Sequence, residues 1–172
     1  MKVSIVAVMD QKRGIGKENK IPWHIKEDLV RLKGLTLNNV VILGRKSYDS
    51  MVFYYNRTGN PMPGKLYIII THDKNYKPAR ENATIAHSLK EAISFAGGRL
   101  AKLGGVGEVF VIGGAQIFKQ AIGIADKLYL TIVEGEYNAD TFFPDYSQFK
   151  KIISEESRES DGYKYKFLEI ER

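Results

Sequence analysis

Four short apolar runs constrain the fold of this chain more than any other feature. Val3–Met9, Val40–Leu43, Leu66–Thr71 and Val109–Ile112 are rich in β-branched and aromatic residues and are bounded by Gly, Asn, Asp or charged residues. Their length suits strands, and their near-continuous hydrophobicity suits strands covered on both faces, as in a parallel sheet between helical layers. Helical patterns alternate with them. Ile25–Lys33 carries Ile25, Leu29 and Leu32 at i, i+4 and i+7, with Glu27 and Asp28 in its first turn. Arg45–Met51 follows the second run. Ser88-Leu89-Lys90-Glu91 has the form of a capping box and opens a helix through Phe95 that Gly97-Gly98 would end. Gly114–Ala121 follows the fourth run. Strand–helix–strand order of this kind predicts right-handed crossovers and a mainly parallel α/β sheet.

The C-terminal part changes character. Lys127–Glu134, Lys150–Arg158 and Tyr163–Glu171 read as strands, the last two joined by a turn at Asp161-Gly162 and therefore antiparallel neighbours. No repeat, linker or low-complexity stretch divides the 172 residues, so residues 1–172 are expected to form one domain.

Composition narrows the chemistry. Hydrophobic residues make up 44% and charged residues 27%, which excludes a disordered chain. The absence of cysteine excludes disulfides, thiolate nucleophiles and Cys-ligated zinc. His24, His72 and His87 have no partner at metal-ligand spacing, so no metal is expected. No apolar run approaches the ~20 residues of a membrane helix, and the first run lacks a cleavage site, so a cytoplasmic protein without a membrane partner is the default. A net charge of +6 favours anionic ligands, but the cations are dispersed among acids and form no nucleic-acid motif. The run Gly104-Gly105-Val106-Gly107 precedes a strand instead of following one, and fails the context of a dinucleotide fingerprint.

Three segments can carry chemistry. Gly14-Ile15-Gly16-Lys17-Glu18-Asn19-Lys20-Ile21-Pro22-Trp23 runs from the first strand to the first helix, across one end of the sheet, where ligands of open α/β folds bind. Asp28 stands in a helix whose apolar side includes Leu29 and Leu32. A carboxylate there is costly unless paired, has two coplanar acceptors for a planar N–H/NH2 edge, and has its pKa raised by desolvation. Val40–Ser47 and Val109–Gln116 are each a strand meeting a helix N-terminus through Gly, the first with Arg45, Lys46 and Ser47, the second with Gly113-Gly114. Both are anion-binding arrangements, and two of them on a single sheet suit a dinucleotide with separated phosphates.

Taken together, these segments resemble the dihydrofolate reductases. The residues that carry the resemblance are Ile15-Gly16-x-Glu18-Asn19-x-x-Pro22-Trp23, Asp28-Leu29, Gly44-Arg45-Lys46-Ser47-Tyr48-Asp49-Ser50, Pro63-Gly64, Ile112-Gly113-Gly114, Leu128-Tyr129-Leu130-Thr131 and Asp140-Thr141-x-Phe143-Pro144. They span essentially the whole chain in order.

The resemblance implies an eight-stranded, mostly parallel sheet with an antiparallel C-terminal strand and about four flanking helices. It implies a monomer that uses NADPH to reduce 7,8-dihydrofolate to tetrahydrofolate. By that resemblance Asp28 would hold the pterin's amino group and ring N–H, Thr131 would support the carboxylate, and Trp23 would help close the mobile loop and position a water. Ile5, Val6, Ala7, Ile15, Gly16 and Ile112 would wall the reacting rings, and Leu29, Leu32, Met51, Lys65 and Phe118 would complete the substrate side. Ala7, Ile15, Gly16, Asn19, Gly44, Arg45, Lys46, Ser47, Thr71, His72, Ile112, Gly113, Gly114, Ala115, Gln116 and Ile117 would hold NADPH, with Arg45 and Thr71 or His72 near the 2′-phosphate.

The chain departs from the family pattern at several places. Leu32 stands where Phe is usual, Ser47-Tyr48 replace Thr-Trp, Phe118 replaces a frequent Tyr, and Lys65 replaces the Arg that clamps the substrate's α-carboxylate. Lys65 is a point charge without a bidentate fork. It motivates an alternative, reduction of a tail-less dihydropterin or related pyrimidine on the same fold; a non-catalytic basic binding module is the other class of reading. Phe53–Asn60, with Tyr54, Tyr55 and Arg57, reads as an enlarged surface loop just upstream of Lys65.

Overall fold

The computed structural model describes residues 1–102 and 107–172. Of the glycine run at 104–107, only Gly107 lies among them. The strands are β1 Lys2–Asp10, β2 Gly14–Gly16, β3 Val40–Gly44, β4 Leu66–Ile70, β5 Ala83–Ala86, β6 Glu108–Val111, β7 Lys127–Val133, β8 Thr141–Phe142, β9 Lys151–Ser160 and β10 Tyr163–Glu171. The helices are α1 Lys26–Thr36, α2 Arg45–Thr58, α3 Leu89–Lys102 and α4 Ala115–Ala121. Eight strands form one sheet in the order β5-β4-β3-β6-β1-β7-β10-β9, and β2 pairs with β8 outside it. Pairings from β5 to β7 are parallel, whereas β10 runs antiparallel to both β7 and β9. The expected mostly parallel eight-stranded sheet with its antiparallel C-terminal strand and four helices is present.

The apolar runs take the centre. Ile5, Val41, Ile42, Leu43, Ile68, Val109, Val111, Leu128 and Leu130 are fully buried. One cluster fills the face under α3 and α4. On the other face Val6, Phe110 and Tyr129 pack against Leu32 and Leu35 of α1, while Tyr48, Met51 and Val52 of α2 pack against Val41, Leu43, Tyr67 and Ile69.

Two helices are longer than the sequence pattern suggested. The segment read as an enlarged loop is the second half of α2, which continues to Thr58 and closes at Gly59, φ 71°, where the Gly59 N–H donates to the Tyr55 carbonyl at 3.0 Å. Tyr48, Met51, Val52 and Tyr55 lie at i, i+3, i+4 and i+7, so one apolar face holds the extension on the sheet. In α3 the expected stop at Gly97-Gly98 does not occur. The helix runs through both, because Leu89, Ala92, Ala96 and Leu100 keep one face in the core, outweighing about 1 kcal/mol per interior glycine. Half of the capping box is formed, and the Glu91 side chain reaches one residue further back than the box requires. Glu91 N–H donates to Ser88 Oγ at 3.1 Å, and Glu91 Oε2 accepts from the His87 N–H at 2.6 Å. Among the described residues no helix is long and apolar enough to cross a membrane, and no group of three His, Asp or Glu is placed to hold a metal ion.

Candidate active site

The first and second α/β crossovers leave a cleft at the carboxyl ends of β1, β3 and β6, the place where parallel sheets of this kind bind ligands. The loop after β1 forms its roof. Asp10 Oδ1 accepts from the N–H groups of Gly14 at 2.7 Å and Lys12 at 2.9 Å. Gly14 has to be glycine, since a Cβ would meet Ala139 Cβ at 2.5 Å and Asp10 Oδ2 at 2.6 Å. Further along, Asp140 Oδ2 accepts from the Glu18 N–H at 2.8 Å, and Asp140 N–H donates to the Gly16 carbonyl at 3.0 Å. Asn19, at φ 61°, sits in the tight turn between Lys17 and Lys20.

Trp23 ends this loop with its ring buried among Ile25, Val133 and Tyr165 and edge-on to Tyr137 at 5.2 Å. Its indole N–H has no hydrogen-bond partner in the protein. A buried donor in that condition is available to a ligand or a water.

From Trp23 the chain enters α1, whose start is tied to the C-terminal hairpin. The Lys26 N–H donates to Asp161 Oδ2 at 2.9 Å, and Tyr165 Oη donates to Glu27 Oε2 at 2.8 Å. This fixes the first turn and places Asp28 against β7. Thr131 Oγ1 donates to Asp28 Oδ1 at 2.6 Å. Asp28 lines a narrow cavity of about 60 Å³ together with Val8, Ile21, Trp23, His24, Ile25 and Leu29. Burial pushes its carboxyl above the ordinary aspartate range, opposed by the Thr131 hydroxyl and the positive charge of Arg31. Thr131 is itself fully buried. A larger groove of about 560 Å³ between β7, β9 and β10 is lined by Lys164, Lys166, Glu134, Glu159 and Arg158, and its lining does not include Asp28, Thr131 or Trp23.

The second half of the cleft is built from backbone. Because β3 and β6 are neighbours, their two Gly-to-helix turns touch: Gly44 N–H donates to the Gly113 carbonyl at 2.7 Å. Gly113 has φ 122°, and a Cβ on it would meet Phe118 Cζ at 3.2 Å; Ser47 Oγ lies 3.7 and 3.5 Å from the Cβ positions of Gly113 and Gly114. The Gly113-Gly114 peptide is cis. No side chain caps the first turn of α2, so its N–H groups face the cleft with the helix dipole behind them. Arg45 leaves that turn toward Asp73, Nη1 to Oδ2 at 3.3 Å, and lies over the Tyr76 ring at 5.9 Å. The Thr71 hydroxyl accepts from the Asp73 N–H at 3.2 Å, and His72 is exposed beside it.

The structure brings most of the expected residues to this cleft but not all. Val6, Leu32 and Ile112 meet in one cluster on the α1 side, and Ile112 also reaches the Met51 group. Leu29 is in the cavity wall. Ile15 is half-buried and packs on the edge of the main core. Lys46 and Gln116 extend from exposed positions at the first turns of α2 and α4, and Ala115 opens α4. Lys65 is exposed on a turn docked to the end of α1: its N–H donates to the Asn39 carbonyl at 2.9 Å. Ile5 is fully buried in the cluster under α3 and α4, together with Ala7 and Met9. The side chains of β1 that face Asp28 and Thr131 are Val6 and Val8, since Val8 pairs with Thr131 in register. Val8, His24 and Arg31 lie at the site without having been singled out in the sequence.

A family model described as dihydrofolate reductase matches residues 2–172. The chain is 33% identical over 176 residues to the dihydrofolate reductase of Bacillus subtilis, covering 99% of this chain and 94% of that protein. It is 34% identical to that of Staphylococcus haemolyticus, covering 100% and 96%. Among solved structures it is similar to the dihydrofolate reductase of Enterococcus faecalis complexed with NADP(H) and RAB-propyl, with a TM-score of 0.80 at 26% identity over 99% of this chain and 96% of that one.

Proposed function

The chain belongs to the dihydrofolate reductase family, and on that premise we propose how its residues carry out the NADPH-dependent reduction of 7,8-dihydrofolate to 5,6,7,8-tetrahydrofolate. The observation that carries the reading is the 2.6 Å contact from Thr131 to Asp28 at the wall of the cavity under Trp23. A half-buried carboxylate with one oxygen committed to a hydroxyl keeps its remaining acceptor sites for the amino group and ring N–H of a pterin. That edge-on grip orients the ring and favours protonation at N5. Ile21, Trp23 and Leu29 wall that cavity and would shield the pterin edge from water. Trp23, with its unpartnered N–H, holds a water at the pterin.

The residues on the other side of the cleft fit a dinucleotide. The Gly113 and Gly114 backbone lies beside Ser47, and the first turns of α2 and α4 would present N–H groups to phosphates. Arg45, now on Asp73, is the cation for a 2′-phosphate, with Thr71 and His72 beside it. NADPH, when bound, supplies the hydride delivered to C6. The protein contributes orientation and a dry pocket.

We read the 172 residues as one catalytic domain, acting as a cytoplasmic monomer with no nucleic-acid partner, a reading supported by the dispersal of its cations. NADPH oxidation followed spectrophotometrically tests the activity. Turnover that depends on added dihydrofolate is expected, and turnover on a tail-less dihydropterin alone would overturn the substrate.

A further inference from the structure

Arg31 is a buried cation that the mechanism above leaves unused. It follows Asp28 by three positions, so both face β7 from the same side of α1. Its side chain is only 14% exposed. Nη1 donates to the Leu130 carbonyl at 3.0 Å and reaches Thr131 Oγ1 at 3.5 Å, the hydroxyl that donates to Asp28. Nη2 lies 3.6 Å from Glu169 Oε1 on β10, and the other oxygen of Glu169 accepts from Lys127 Nζ at 2.8 Å. The Phe167 ring lies 4.6 Å from the guanidinium carbon and that of Tyr129 5.7 Å. A line of polar groups, Asp28–Thr131–Arg31–Glu169–Lys127, thus crosses three elements.

The geometry points to Arg31 as a positioning residue for the reduction. By reaching the Thr131 oxygen as a donor it turns that hydroxyl's proton toward Asp28, and it sets a fixed positive charge beside the carboxylate that grips the pterin. The inference rests on the assignment of Asp28 above. A guanidinium serves here because it stays charged despite burial and is planar, so it can lie over Phe167 and Tyr129 while its edge donates to β7. Among the described residues, the charged and titratable groups around the pair are Glu27 on α1, His24 at the entrance, Lys127 and Tyr129 on β7, Arg158 on β9, which lies 6.0 Å from the Phe167 ring, and Tyr165 and Glu169 on β10. On β1, Val8 and Val6 lie beside Thr131 and Tyr129, and Ser4 lies beside Lys127. Arg31 is the group whose charge acts on Asp28, pulling its carboxyl down against burial.

The test reads the pH profile of kcat/KM for dihydrofolate at saturating NADPH, together with the titration of the Asp28 carboxyl by carbon NMR. Arg31→Met keeps the aliphatic packing and removes the charge. It is expected to lower kcat/KM roughly tenfold by loosening the carboxylate and to move the Asp28 midpoint upward. Arg31→Lys, which keeps the charge, should restore most of the midpoint. Glu169→Gln leaves Arg31 charged and less neutralised, so it should move the midpoint the opposite way, and it serves if Arg31→Met fails to fold. An Arg31→Met enzyme with the wild-type profile, or a Glu169→Gln shift in the same direction as Arg31→Met, overturns the inference. Asp28→Asn measured alongside separates the two readings: normal turnover in that variant refutes the Asp28 assignment itself, whereas its loss with an unmoved Arg31→Met profile refutes only the role of Arg31.

Discussion

The two halves of the cleft are built by different physics. On the α1 side the recognition we propose rests on side chains: Asp28, Thr131 and Trp23 converge from one helix, one strand and one loop, and the central group is a carboxyl placed where charge is disfavoured. On the β3–β6 side it rests on backbone. Gly44, Gly113 and Gly114 let two main-chain turns touch, and their helices turn N–H groups outward. One half therefore trades stability for chemistry, and the other trades sequence freedom for shape. Substitutions should separate the halves, with the charge governing turnover and the glycines governing the cofactor and the fold.

Asp28→Asn is the largest expected effect. It removes the charge with little change of volume, and turnover should fall by orders of magnitude while NADPH still binds. The same variant should be more resistant to unfolding. Burial raises the folded-state pKa of Asp28 above its ordinary value. Ionisation therefore destabilises the native state as pH rises through the raised value, and the deficit is absent in acid below the ordinary one. Thermal unfolding should show Asp28→Asn above wild type at neutral pH and level with it in acid. Equal midpoints at both pH values would mean that the carboxylate carries no burial penalty, and the contrast between the halves would lose its basis.

Gly113→Ala probes the other half. Its φ of 122° disfavours any L side chain, and a Cβ there presses on the Phe118 ring at 3.2 Å. A penalty of about 2 kcal/mol is ordinary for such a position and corresponds to a loss of roughly 4–8 °C in a chain of this size. Calorimetry should show that loss, and NADPH titration by fluorescence should show weaker binding. Normal stability with normal cofactor affinity would mean that the turn is tolerant and that shape is not what this half conserves energy for.

The same division explains what could be read in the chain. The glycine turns were legible because strand, Gly and helix follow one another locally. Asp28 was legible because a carboxylate in an apolar stripe is anomalous wherever the helix docks. The facing of β1 was not: a strand buried on both sides has no alternation, so nothing local distinguishes Ile5 from Val6 and Val8. Arg31 was hidden for a related reason. An arginine in a helix reads as solvent-facing, and its burial depends on β7 and β10 lying side by side, a pairing between residues 127–133 and 165–171. The extent of α2 was concealed by the aromatic and polar residues after Met51, although Tyr48, Met51, Val52 and Tyr55 repeat at helical spacing. The short strands β2, β5 and β8 carry too few residues to show a period.

The smallest effect sharpens the comparison at its margin, where the substrate half meets solvent. Pro63–Lys65 docks on the end of α1, with the Asn38 N–H donating to the Pro63 carbonyl at 3.1 Å, so the Lys65 side chain stands exposed at the outer rim of the helix that carries Asp28. A tail carboxylate reaching this rim meets a point charge in water, where a pair is worth about 0–1 kcal/mol. Lys65→Arg offers a bidentate fork in place of a point charge. The KM for dihydrofolate should fall a few-fold with kcat unchanged, because the contact is remote from C6 and is the same in ground and transition states. A tail-less dihydropterin should show no change. If the KM moves for both substrates, Lys65 acts on the ring and not the tail. If it moves for neither, Lys65 does not meet the tail, and the side-chain half ends short of this rim.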